Sequence, residues 1–294
     1  MRFNPGLKLT LHLEYIDFLR GTPVYPINTE ISISGVCNAN CSMCFYKNNH
    51  TKKMIDHDSM IRTLKDYYGR AISWTGGGEP TLNKHFPEYV LIASQLGISQ
   101  GLFTNALKNI DYDPKLFEWI RVSKTDRDFN YDNFGKLREC ETVGIVINDT
   151  GNDKEIEDTL KVVYKYGLDY LQVRPALKTG GEYTRTRAPE IRDEKLIITE
   201  YKYKACSLPR TYDKCYGYNF VPFVWETGDV YTCAYHYGNE YYKLGNICEL
   251  PFNQIIRTMP TVKDVSKDCQ VCCKNNEINE LIFDSLNINN GDFV

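Results

Sequence analysis

Three kinds of feature are missing from this chain of 294 residues, and each absence excludes a class of protein. No stretch approaches the roughly eighteen consecutive apolar residues of a membrane-spanning helix, so no membrane association is expected. No signal peptide is visible, because the first ten residues reach Asn-Pro-Gly before any apolar run develops. Proteins that bind the phosphate backbone of nucleic acids are usually basic, whereas this chain has a formal net charge of −3. Nucleic acid is therefore not an expected partner.

Cysteine, in contrast, is plentiful, with 11 residues in the chain. An odd number of cysteines cannot all pair within one chain, and structural disulfides are rare in a reducing cytosol. Because no export signal is visible, we expect the protein in the reducing cytosol. We therefore expect a cytoplasmic protein in which several thiolates bind metal.

Strand-like and helix-like segments alternate from residue 30 to about residue 203. Strands are predicted at 30–36, 70–74, 98–103, 118–123, 142–147 and 168–173, and helices at 56–68, 84–96 and 153–166. Repeated units of this kind predict a parallel sheet with helical crossovers. The fold class predicted is α/β, a six-unit partial (β/α) barrel. In such barrels the polar residues that follow each strand form the active site.

The character of the chain changes near residue 205, where the alternation stops and cysteine, aromatic residues and glycine become frequent. This change predicts a small second domain held together by metal. The predicted organisation is an N-terminal extension at 1–29, the barrel at 30–204, a small C-terminal cluster-binding domain at 205–285 and a tail at 286–294.

Cys37, Cys41 and Cys44 form a C-x3-C-x2-C motif directly after the first predicted strand. A structural zinc site takes four ligands, and His50 or His57 could supply the fourth only at an unusual spacing. Three thiolates on a cubane iron–sulfur cluster leave one iron without a protein ligand. The spacing therefore favours a cluster whose fourth ligand is a small-molecule cofactor.

The second predicted strand ends in the stretch TGGGEP, residues 75–80. It lacks the GxGxxG spacing and the GK[ST] ending that phosphate-binding loops require. A carboxylate among glycines suits an ammonium group better than a phosphate.

These two motifs, in this order on βα units, resemble those of the radical S-adenosylmethionine (SAM) enzymes over roughly residues 30–204. One departure is Met43, where the family usually carries an aromatic residue; methionine is polarisable and can pack on an adenine. The resemblance implies a 4Fe–4S cluster on Cys37, Cys41 and Cys44, with SAM on its open iron. It further implies that reductive cleavage of SAM gives a 5′-deoxyadenosyl radical, which abstracts hydrogen from an unactivated carbon.

The same resemblance implies contacts for SAM and a source of electrons. A reductant such as flavodoxin or ferredoxin would supply the electron. Gly77, Gly78 and Glu79 would face the methionine amine. Further contacts with SAM are expected at the ends of strands four to six, from Ser123, Asn148 and Arg174.

A second set of cysteines resembles the Twitch domain, the shortened form of the SPASM extension of radical SAM enzymes. Cys215 and Cys233 flank Gly228 as C-x12-G-x4-C, and a CxxC pair follows at Cys269 and Cys272. The resemblance implies that these four cysteines hold an auxiliary 4Fe–4S cluster, the second in the protein. A zinc knuckle with the same four thiolates is the alternative that the spacing leaves open.

Twitch-bearing relatives include epimerases and dehydrogenases of aminocyclitols and aminosugars, and enzymes that modify peptides. Because the barrel begins by residue 30, we expect a hydroxylated small molecule such as an aminosugar as substrate. A thiol S–H bond is weaker than a typical C–H bond, so a spare cysteine could return hydrogen to a substrate radical. Cys248, ahead of Cys206, is the candidate donor and favours epimerisation over dehydrogenation. The alternatives are a peptide-modifying enzyme, for example a peptide epimerase, and a non-catalytic zinc-binding module.

Overall fold

The computed structural model describes residues 4–47, 50–177, 183–266, 269, 272 and 274–288. The helices are α1 Pro5–Leu9, α2 Leu13–Leu19, α3 His57–Lys65, α4 Phe86–Gln95, α5 Asp132–Leu137, α6 Asp153–Lys165, α7 Glu200–Ser207, α8 Phe252–Thr258 and α9 Asn276–Leu286. The strands are β1 Asn28–Ser32, β2 Ala71–Thr75, β3 Ser99–Thr104, β4 Trp119–Ser123, β5 Val143–Asp149, β6 Tyr170–Pro175, β7 Leu196–Ile198, β8 Lys214–Cys215, β9 Phe223–Val224, β10 Asp229–Tyr231, β11 Lys243–Asn246 and β12 Lys263–Asp264.

Strands β1 to β7 lie side by side in chain order, and every neighbouring pair is parallel. The prediction of an α/β fold with a partial barrel is confirmed. The six strands predicted from the sequence correspond to β1 through β6. The seventh, β7, was not predicted as a separate strand, because its three residues are too short to show a period.

Local sequence explains where the longer helices begin and end. The Asp56 side chain accepts a hydrogen bond from the Ser59 N–H at 2.9 Å and starts α3. Asn152 caps α6 in the same way through the Glu155 N–H. Gly167 follows α6 with φ +63°, the left-handed conformation that glycine adopts without strain.

The C-terminal strands continue the barrel sheet. β9 pairs parallel with β1, which places Glu30 opposite Phe223, and β10 and β11 extend the sheet in antiparallel fashion. Val224, Val230 and Ile247 belong to the same hydrophobic core as the barrel strands. Strands β9 to β11 therefore share a sheet and a core with the barrel, whereas β8 and β12 form a separate two-stranded sheet.

The N-terminal residues fold as two short helices against α9. Leu9 and Tyr15 pack with Phe220, Ile278 and Ile282 in a separate small hydrophobic cluster. The predicted extension and the C-terminal helix thus close the barrel at the amino ends of its strands. Within the described residues, no helix has the length and apolar character needed to cross a membrane.

Candidate active site

One cavity of about 710 Å³ occupies the barrel. Its volume lies within the range of about 300–1,000 Å³ that is typical of small-molecule and cofactor sites. Its wall includes these residues predicted from the sequence: Cys37, Cys41, Cys44, Gly78, Glu79, Ser123, Asn148 and Arg174. These residues meet because the carboxyl ends of parallel strands lie at one edge of the sheet.

The three cysteines of the first motif lie on a tight loop after β1. Asn40, between the first two, has φ +52°, and the Cys44 N–H donates to the Cys41 carbonyl at 3.3 Å. The Ser42 N–H donates to the Asp126 carboxylate at 2.6 Å, which ties the loop to the end of β4. Burial raises the pKa of both the Cys41 and Cys44 thiols. The loop thus presents three partly buried soft donors to one cavity, which is the donor set that iron–sulfur clusters use.

The glycines of the second motif permit close packing. A Cβ atom on Gly78 would lie 2.3 Å from the Val36 carbonyl oxygen, and one on Gly77 would lie 2.2 Å from the Trp225 ring. Gly78 lines the cavity, whereas Gly77 packs against Trp225 and donates its N–H to the Ser32 hydroxyl at 3.0 Å. A side chain on Gly78 would push this loop away from the segment after β1, and one on Gly77 would push it away from Trp225, which follows β9.

Glu79 is 2% exposed and joins the ends of β2 and β3. Its Oε1 accepts from the Thr81 hydroxyl at 2.8 Å and the Thr104 hydroxyl at 2.7 Å, and its Oε2 accepts from the Asn105 N–H at 2.7 Å. Burial raises the pKa of the Glu79 carboxyl, and these hydrogen bonds oppose that shift. Oε1 is fully engaged, while Oε2 retains an acceptor site on the cavity wall that an ammonium group could use.

Asn105 connects Glu79 to the cysteine loop. Its side-chain amide donates to the Asn38 side chain at 2.8 Å and lies 3.8 Å from the Cys37 sulfur. The two motifs are therefore linked through one buried carboxylate and one amide. Sequence reasoning missed this amide, although Thr104 and Asn105 follow a predicted strand.

Asn148 and Arg174 lie opposite each other in the pairing of β5 with β6. The Arg174 Nε donates to the Asn148 Oδ1 at 2.7 Å, and its guanidinium carbon lies 5.8 Å from the centre of the Phe103 ring. Arg121, on β4, lies 5.4 Å from the same ring. Two arginines are thus held on the inner face of the barrel around one phenyl ring.

Cationic side chains outnumber acidic ones on the described part of the cavity wall. The cations are Lys8, Arg121, Lys124, Arg174, Lys202 and Lys274, and the acids are Glu30, Glu79 and Glu118. Lys274 pairs with Glu30 at 2.6 Å. The interior therefore favours anionic groups, in contrast to the net negative charge of the whole chain.

The four cysteines of the second motif meet beside β8. Cys215 is buried and accepts a hydrogen bond from the Asn279 side-chain amide at 3.5 Å. A hydrogen bond between Cys269 and Cys272 lowers the pKa of Cys272 and raises that of Cys269, and Cys233 also raises the pKa of Cys269 by charge repulsion. The C-x12-G-x4-C segment and the CxxC pair thus come together, as a shared metal site requires.

Four thiolates are a ligand set that both a structural zinc ion and an iron–sulfur cluster accept, so the donor atoms at this second site suit either.

An aromatic cluster lies between the two cysteine sets. Tyr46, two residues after Cys44, lies 5.2 Å from Trp225 and 5.3 Å from Tyr237. Trp225 and Tyr237 stack with ring centroids 4.6 Å apart.

The structure places the two candidate hydrogen donors away from the cavity wall. Cys248 is exposed, and its thiol lies 4.0 Å from the Thr227 carbonyl oxygen, beside the turn at Gly228. Cys206 is buried in α7 and does not line the cavity. That Cys248 returns hydrogen to a substrate stays a prediction; in this structure the residue follows β11, at the edge of the sheet.

Comparison with known proteins supports the fold. No family model matches the chain. It is 33% identical over 101 residues to 7,8-dihydro-6-hydroxymethylpterin dimethyltransferase of Methanocaldococcus jannaschii, a match that covers 31% of this chain and only 20% of that relative. SuiB of Streptococcus suis, solved with its precursor peptide SuiA, gives a TM-score of 0.63 at 14% identity, covering 89% of this chain and 72% of SuiB.

A second solved protein is also similar in structure to this chain. The protein anSMEcpe, solved with S-adenosylmethionine and the Cp18Cys peptide, gives a TM-score of 0.53 at 17% identity, covering 90% of this chain and 84% of that one. At such identities a structural likeness shows the fold alone. The α/β partial barrel of this chain is therefore the fold of SuiB and anSMEcpe.

Proposed function

We propose that this chain is a radical SAM enzyme. The observation that carries the proposal is that the three cysteines, the glycine loop and the polar ends of β4 to β6 line one cavity. When bound, a 4Fe–4S cluster and SAM supply the electron transfer and C–H activation that no side chain can perform. SuiB and anSMEcpe, solved with SAM, support the proposal by their shared fold.

Different residues of the cavity would bind the cluster and the polar groups of SAM. Cys37, Cys41 and Cys44 would ligate three irons and leave the fourth to SAM. The Gly78 backbone and Glu79 Oε2 would receive the methionine amine. Ser123, Asn148 and Arg174 would bind the remaining polar groups of SAM, with the arginine already oriented by Asn148.

The charge of the cavity supports a substrate with an anionic group. Cations outnumber acids on its described wall even with Lys274 paired to Glu30, and an aminosugar would bring its own positive charge among them. A peptide with a carboxylate fits better. The peptides solved with SuiB and anSMEcpe support the same class. A hydroxylated small molecule with an acidic group is the second candidate, because the cavity can enclose one entirely.

Cys215, Cys233, Cys269 and Cys272 would hold the auxiliary 4Fe–4S cluster of a Twitch-like segment. Their C-x12-G-x4-C and CxxC pattern, which resembles that of the Twitch domain, supports a cluster over zinc. Along the described cavity wall, the cysteines are the three proposed cluster ligands, and Cys248 is not among them. We therefore propose oxidation: after hydrogen abstraction the substrate radical would pass one electron to the auxiliary cluster and one proton to solvent.

The test is anaerobic incubation of the cluster-loaded protein with SAM, a reductant such as flavodoxin and candidate peptides. Wild type should release 5′-deoxyadenosine. Replacing Cys37, Cys41 and Cys44 together by Ala should abolish that product and lower the iron content from two clusters to one. Cys248→Ala is the matched control and should change neither. The proposal fails if the triple variant still cleaves SAM, and oxidation is excluded if the product carries solvent deuterium after turnover in deuterium oxide.

A further inference from the structure

Three metal-ligating side chains meet outside the cavity, where α3 and α4 begin. The Glu88 Oε2 lies 3.4 Å from the His85 Nδ1 and 3.8 Å from the His57 Nε2. The two imidazole rings stack with centroids 4.0 Å apart. All three ligand atoms lie within 4.8 Å of one another.

The two distances to Glu88 are close to those between ligands around one small divalent ion, and the two histidine nitrogens lie within 4.8 Å of each other. Histidine nitrogens and carboxylate oxygens bind zinc at about 2.0–2.2 Å, so tetrahedral ligands lie about 3.3–3.6 Å apart. The two measured distances therefore need to change by a few tenths of an ångström at most. The side chains are 35%, 32% and 50% exposed for His57, His85 and Glu88, so an ion can enter from solvent.

A neighbouring residue fixes the orientation of one ligand. The His57 Nδ1 is 3.2 Å from the hydroxyl of Tyr89, which is fully buried and belongs to the barrel core. Metal-binding histidines commonly use their second nitrogen in such a bond, which holds the ring and its tautomer. The bond leaves the His57 Nε2, the nitrogen that faces Glu88, to accept a metal.

The local charge also suits a cation. The amino ends of α3 and α4 carry positive partial charge, which by itself disfavours a metal ion. Three carboxylates offset it: Glu88 is itself a proposed ligand, and Asp56 and Asp58 flank His57 in the chain.

We propose that His57 Nε2, His85 Nδ1 and Glu88 bind one divalent ion of the zinc type, with a fourth position open to water. The ion would have a structural role, independent of the proposed enzymatic activity. His57 follows the cysteine loop along the chain and His85 follows the glycine loop. A metal here would cross-link the two loops from the outer side of the barrel.

The experiment is a calorimetric titration of zinc into the cluster-loaded protein without oxygen, with thermal unfolding measured in parallel. Wild type should bind zinc at one site in addition to any zinc that the cysteines bind, and its unfolding temperature should rise. Glu88→Gln, which keeps the shape of an exposed side chain, and His85→Ala should each weaken this site at least tenfold and lose the rise. His12→Ala, at the opposite end of the barrel, is the matched histidine control and should behave as wild type.

Cysteine is shared by all four proteins, so zinc bound by thiolates cannot produce a difference between them. Absorbance of the clusters near 400 nm records whether zinc displaces iron. Equal zinc binding and equal thermal shifts in all four proteins, with or without loss of cluster absorbance, would overturn the assignment. Unfolding without zinc should be the same in wild type and Glu88→Gln, which confirms that the variant folds.

Discussion

Asn279 on α9 provides a sharp test of how the second cysteine site is built. This side chain is 1% exposed, and its Oδ1 accepts from the Tyr216 N–H and the Gly217 N–H, both at 2.8 Å. Its Nδ2 lies 3.5 Å from the Cys215 sulfur. One side chain thus satisfies two backbone donors and orients a predicted ligand.

Asn279→Leu would retain the approximate volume and remove all three hydrogen bonds. Each buried N–H left without an acceptor costs about 1–3 kcal/mol. Tyr216 is only partly buried and can recover some of that loss from water. We therefore expect the free energy of unfolding to fall by about 2–4 kcal/mol. For a chain of 294 residues the corresponding fall in unfolding temperature is roughly 3–6 °C.

Thermal unfolding of the cluster-loaded protein, followed by circular dichroism without oxygen, measures the effect. Iron content provides a second measurement and should fall, because the Cys215 loop loses its support. Asn287→Leu is the matched control, since Asn287 ends the same helix but is exposed, and its effect should stay within about 0.5 kcal/mol. The reasoning is refuted if Asn279→Leu unfolds at the wild-type temperature and keeps its iron.

Two further predictions concern packing and pH. Gly77→Ala should destabilise the fold by about 1–3 kcal/mol because its Cβ meets the Trp225 ring. Gly135→Ala on α5, which has open space around it, should not destabilise the fold. Equal unfolding temperatures for the two variants would contradict this account of the packing. Burial raises the pKa of Glu277 to about 7 from an ordinary value of 4.5. As the pH rises, the unfolded protein therefore loses this proton at a lower pH than the folded protein does. Stability should therefore fall between about pH 5 and 7, by roughly 1–2 kcal/mol given the partial exposure of this side chain. Glu277→Gln should remove that slope, and parallel pH profiles for the two proteins would show that the carboxyl is not responsible.

Local sequence was sufficient to predict the barrel and one wall of its cavity. Alternating strands and capped helices are encoded by neighbouring residues, as Asp56 and Gly167 show. Once the strands are known to be parallel, their carboxyl ends must share an edge of the sheet. Cys37, Glu79 and Arg174 could therefore be placed together although they are far apart in the chain.

Only the tertiary structure determined what packs against that wall. The pairing of β9 with β1, the contact of Trp225 with Gly77 and the support of Cys215 by Asn279 join segments distant in sequence. No periodicity encodes such contacts, because they depend on which surfaces meet after the sheet has formed. Cys248 illustrates the same limit: the sequence could name it a candidate donor, but only the antiparallel pairing of β10 with β11 shows that it follows the edge strand and is exposed.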